Sequence, residues 1–162
     1  MQCWSIGSYN VSILAKSMED VKKYPGFGKK LSEMEKHEVR FNYCHLIASE
    51  WFKITDQISQ TDSLTLSDLQ ADLKDCTLVG ELVGSENFQQ ILNYPKCSLI
   101  FSSLIANSNP GETCLPPEKL AALCEKWNLA MIPINSVGVF KTESDLKEAM
   151  LELYNKVTSG PI

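Results

Sequence analysis

An α/β fold, with a mixed and largely antiparallel sheet flanked by helices, is what this sequence predicts. Three observations lead there. Leu78-Val79-Gly80-Glu81-Leu82-Val83-Gly84 is an apolar run around one carboxylate, the composition of a buried strand. Cys97 to Ala106 is a second apolar run, a short connection away, and strands so joined pair as antiparallel neighbours. From Val39 to Ile58 apolar residues recur at steps of three and four, the spacing of a helix with one broad buried stripe. The length of 162 residues suits a single domain, 1–162, with a sizeable core.

Taken in order, Trp4 and Ile6, then Val11, Ile13 and Leu14, form two strands around Gly7-Ser8-Tyr9-Asn10. Lys16 to Lys36 reads as a surface loop with a short helix at Met18–Tyr24. Its Lys22, Lys23, Lys29 and Lys30 read as a solvated charge run rather than as phosphate ligands. His37 to Ser59 is the longest expected helix. Thr65 or Ser67 caps a second one that ends near Leu73. The Glu81 strand follows Asp75-Cys76-Thr77, and Ser85 to Tyr94 connects it to the next. Asn107 to Glu112 is turn chemistry. A helix starts at Leu115-Pro116-Pro117, where proline in the first turn does no harm, and stops at Asn128. Leu129 to Ile134 reads as a short strand, followed by Val137-Gly138-Val139-Phe140. Thr142 caps a last helix with Leu146, Met150, Leu153, Tyr154 and Val157 on its apolar side.

Composition narrows the function classes. Apolar residues make up 44% and charged residues 22%, a globular profile. No apolar run is as long as a membrane span, so no membrane partner is expected. The start at Met1 lacks the regions of a signal peptide. An intracellular chain, cytoplasmic or nuclear, with reduced cysteines is the expectation. The six cysteines, at 3, 44, 76, 97, 114 and 124, never form Cys-x-x-Cys, which argues against zinc. His37 and His45 read as surface or satisfied helix histidines. The net charge of −5 argues against a broad nucleic-acid surface and leaves room for a local basic groove.

The middle of the chain resembles a known family. Leu78 to Gly84, then Gln90-Ile91-Leu92-Asn93-Tyr94, then Leu99-Ile100-Phe101, is similar to the central part of ATP-dependent RNA ligases of the phage type and their eukaryotic relatives. Leu115-Pro116-Pro117-Glu118-Lys119 and Trp4 to Val11 look like further pieces of it. The likeness is diffuse over most of the chain and sharp around residues 78–101. It implies a partial nucleotidyltransferase domain, of the ATP-grasp-like ligase kind, with ATP and Mg2+ as cofactors and RNA as partner. In the family a lysine attacks the α-phosphate of ATP, the adenylate passes to an RNA 5′-phosphate, and a 3′-hydroxyl displaces AMP. The resemblance puts Glu81 near the ribose or metal, and Phe101 under the adenine. Both side chains are then expected on one face of adjacent strands. The alternative leaves Phe101 in a helix-covered core and Glu81 in solvent.

The sequence also departs from the family. No Lys-x-Asp-Gly occurs in it. Lys141-Thr142-Glu143-Ser144 is the nearest imitation and reads better as a helix cap. Tyr9 stands where a basic residue is common. The Glu-Gly strand and the phosphate-binding lysines of the family would follow Ile162. Without a positioned lysine no lysyl-AMP forms. The expectation is a fragment or degenerate copy, inactive alone and with no catalytic residue of its own, or one half of a site completed by a partner chain. A non-catalytic α/β interaction module, or one that binds nucleotide or RNA, is the other reading.

Overall fold

The computed structural model describes residues 3–8, 11–84, 97–108, 111–134 and 139–159. It is mixed α/β, with two antiparallel sheets and five α-helices among those residues. Strand β1 (Trp4–Ser8) pairs with β2 (Val11–Ala15), and Tyr9 lies outside the described residues. A short helix α1 (Met18–Val21) follows, then the long helix α2 (Lys36–Ser59) and α3 (Leu66–Asp72). The second sheet has the order β3 (Cys76–Val83), β4 (Ser98–Ser108), β5 (Gly111–Cys114). Helices α4 (Pro117–Trp127) and α5 (Glu143–Ser159) complete the described chain. The expected connection from Ser85 to Tyr94 lies outside it.

Helix α2 is the longest element, at 24 residues, and it packs on β1, β2, β4, α1 and α3. Ala48, Trp51, Phe52 and Ile58 are buried along it, as the three-and-four spacing requires. Its start is fixed by Glu38, whose carboxylate accepts a hydrogen bond from the Glu35 N–H at 2.9 Å. Thr65, not Ser67, caps α3: its hydroxyl accepts from the Asp68 N–H at 3.3 Å while Asp68 accepts from the Thr65 N–H. Asn128 ends α4 in the left-handed conformation, with φ of 51°.

One expectation narrows and another needs correction. The turn foreseen at Asn107 to Glu112 falls between β4 and β5, which pair antiparallel as far as Ser108 and Gly111. The strand foreseen at Leu129 to Ile134 is a single parallel bridge between Met131 and Phe101. Phe101 N–H donates to Ala130 O at 2.9 Å and Ile132 N–H donates to Phe101 O at 3.0 Å.

The β3–β4 register contains one irregularity. Val79 faces Ser103, but the next residue, Gly80, faces Phe101. Ser102 is therefore an extra residue, a β-bulge. It shifts the alternation of β4 by one, so that Leu99, Phe101 and Leu104 all reach the core, with exposures of 7%, 5% and 6%. On β3 the matching face carries Cys76, Leu78, Gly80 and Leu82.

Candidate functional site: an apolar cleft between two strand edges

Between the two sheets lies a cleft of about 840 Å³. Trp4 to Gly7 line one side and Cys76 to Gly80 the other, as unbroken runs of residues. Successive side chains of a strand point to opposite faces. An unbroken run therefore means that the backbone edge of each strand, not its face, borders the cleft. Among the described residues β1 and β3 are end strands of their sheets, each with one hydrogen-bonded neighbour.

The floor is aromatic. Trp51 of α2 meets Trp4 edge-to-face at 5.2 Å between centroids, and meets Phe101 edge-to-face at 6.2 Å. Such pairs add to area burial and hold ring orientation. Ile47, Leu73, Leu78, Leu82 and Leu99 complete the apolar lining. Among the described residues the polar lining is uncharged. The Gln70 side-chain amide donates to Cys3 O at 3.4 Å, and the Asn107 amide donates to the Thr77 hydroxyl at 3.0 Å.

Glu81 and Phe101 do not share a face. Their strands are adjacent, as expected, but Glu81 stands opposite Ile100, and Phe101 stands opposite Gly80. Cross-strand partners point the same way, so Glu81 goes outward and Phe101 inward. Phe101 borders the cleft; Glu81 is exposed and does not line it. A pocket using both side chains is not formed, and the one-residue register difference is the cause.

Other charged groups are engaged elsewhere. Lys22 donates to Glu19 at 2.6 Å and Lys23 to Asp20 at 3.0 Å. Lys29 donates to both oxygens of Glu38, at 2.7 and 2.9 Å. That ammonium, followed by the Glu35 N–H, holds the Glu38 carboxyl below its ordinary value. Lys141 is exposed beside α5. Among the described residues no three of His, Cys, Asp or Glu gather as a metal site. All six cysteines are free thiols, and burial pushes Cys44 and Cys124 up. His37 is exposed, with Nδ1 3.4 Å from Glu35. His45 is buried at 6% exposure between Phe27 and Phe41, and its Nε2 has no partner among the described residues. Burial pulls its imidazole below the ordinary value.

ATP and Mg2+ test the cleft unequally. Of the rings, Trp4 is partly exposed, while Trp51 and Phe101 are buried, at 7% and 5% exposure. The described lining has no cation for a triphosphate and no carboxylate for magnesium. The residues therefore do not fit metal-bound phosphates. Trp4 and Trp51 carry the site but were read from the sequence only as strand and helix residues. Their aromatic type was the available signal; their meeting needs the tertiary fold.

Comparison with protein-family models, with curated proteins and with solved structures found no match. No helix among the described residues is long and apolar enough to cross a membrane.

Proposed function

We propose that this chain is a non-catalytic binding module related to ATP-dependent RNA ligases, whose cleft receives the base of a nucleotide or of RNA. The observation that carries the reading is the cleft floored by Trp4, Trp51 and Phe101, whose lining among the described residues is uncharged. Aromatic faces stack on any base, and each such contact is worth about 1–3 kcal/mol. The absence of Lys-x-Asp-Gly from the sequence supports a module that binds without forming lysyl-AMP.

Two of the three tryptophans line the cleft, so intrinsic fluorescence reports on it. Adenosine is expected to quench the emission, and Trp51→Phe to remove most of the change. ATP is expected to bind no more tightly than adenosine, because its phosphates meet no cation among the described residues of the lining. An affinity for ATP tenfold above that for adenosine, or no response to either, would overturn the reading.

The resemblance also supports a second reading, part of a working ligase. Incubation with α-labelled ATP and magnesium, followed by denaturing electrophoresis, separates the two. The binding-module reading expects no label on the protein. A lysine-linked adenylate, above all on Lys141, would decide for the ligase.

A further inference from the structure

Helix α5 has no buried residue. Leu146, Met150, Leu153 and Val157 are 40%, 61%, 37% and 62% exposed, with Tyr154 beside them at 64%. A contiguous apolar stripe of this kind on a charged helix marks an interaction surface. Glu143, Asp145, Lys147, Glu148, Glu152 and Lys156 supply the charge of the helix, and Leu151, 60% exposed, lies outside that four-residue seam. The stripe is not part of the cleft.

We propose that α5 pairs with α5 of a second copy of this chain, side by side and antiparallel. Spacing is the first argument. The four residues are separated by steps of four, three and four, the seam by which two like helices interlock side chains. Charge is the second. The first turn of α5 is acidic, with Glu143 and Asp145, and the last turn is basic, with Lys156. An antiparallel pair sets each acidic end beside the basic end of the other helix and opposes the helix dipoles. A parallel pair sets like beside like. Area is the third. Seventeen residues make a helix about 25 Å long. Two such helices bury on the order of 1,000 Å², below the ~1,600 Å² of a standard interface. The dimer is therefore weak, and its population follows concentration.

Sedimentation velocity of the full chain tests this, from roughly 1 μM to several hundred μM, the range of a weak interface. The expected result is a rise from the 18.1 kDa monomer towards twice that mass. Leu146→Glu with Leu153→Glu should stay monomeric throughout, with unchanged far-ultraviolet dichroism and tryptophan emission. If that variant loses helicity, Met150→Lys serves in its place. Lys156→Glu should weaken association at least tenfold, and Glu143→Lys added to it should restore it. A chain that stays monomeric at the highest concentration overturns the proposal and assigns the stripe to a different partner. A dimer that survives the stripe variants overturns it too. Association strengthened by Lys156→Glu alone rules out the antiparallel pair.

Discussion

Gly80 lies directly opposite Phe101, and a Cβ at position 80 would stand 2.9 Å from Phe101 Cδ1 and 2.6 Å from Ile100 O. The ring can turn aside; the carbonyl belongs to the β3–β4 ladder and cannot. Gly80→Ala is therefore expected to destabilise the fold by about 1–3 kcal/mol, the range for forcing an added methyl against atoms that must shift. Urea denaturation followed by tryptophan emission measures it. A loss under a few tenths of a kcal/mol would mean that β3 yields there.

His45 makes stability depend on pH. Its folded pKa lies below the unfolded value of about 6.5 because burial disfavours the cation. The unfolded chain thus binds the proton first. The stability tied to the neutral ring is complete above about pH 6.5 and declines as pH falls below that value. The melting temperature should drop between about pH 7 and pH 5. His45→Phe, which extends the Phe27 and Phe41 cluster, should flatten that drop. Parallel curves for the two proteins would sink the assignment.

Asp72 joins α3 to α4. Its Oδ2 accepts from Lys126 Nζ at 2.6 Å and from the Trp127 indole N–H at 2.9 Å. The ammonium, then the indole, holds the carboxyl below its ordinary value. The contribution of this carboxylate is present above the unfolded value near pH 3.9 and is lost as pH falls through the folded one. Asp72→Asn keeps an acceptor for the indole and removes the charge. A cost of about 1 kcal/mol or less is expected at neutral pH, since the pair is half exposed. Asp72→Ala should cost more, because Trp127 is buried and its N–H loses its acceptor. Equal losses for the two variants would argue that the indole bond is unimportant.

Asp75 and Asn128 are the non-glycine residues with positive φ among those described, at 56° and 51°. Glycine at either position should leave stability unchanged or raise it slightly. Valine should lower it by about 1–2 kcal/mol, the cost of a left-handed L-residue. Thermal unfolding distinguishes these outcomes. A valine variant as stable as the parent would show that the backbone relaxes.

The sequence was legible where one element's own pattern decides the structure. The α2 stripe, the Thr65 cap and the proline start of α4 are local signals, and the structure has all three. The adjacency of β3 and β4 was legible from their short connection. Their register was not, because alternation assigns faces only when no residue is extra, and Ser102 looks like any other strand residue. The same extra residue undid the expected meeting of Glu81 and Phe101. The cleft was hidden for another reason. Its walls, Trp4–Ser8 and Cys76–Val83, lie some seventy positions apart, and α2 brings them together. Leu129 to Ile134 had the residue types of a strand; among the described residues it forms a lone bridge at Met131.

The bulge also leaves position 102 of β4 undemanding in chemistry and in count. Ser102 is partly exposed, and its hydroxyl donates to Val79 O at 3.3 Å, so a different small side chain there changes little. Deleting the residue would spare the faces as well. Ser103 would follow Phe101 directly, making Val79–Ser103 and Gly80–Phe101 consecutive pairs of a regular ladder, with Leu99, Phe101 and Leu104 still on the core side. Leu115, whose N–H donates to Leu104 O at 2.8 Å, would keep its mooring. In evolutionary terms, position 102 is free in spelling and in number. A chain of this fold accepts substitutions there, and a gap of one residue straightens the strand.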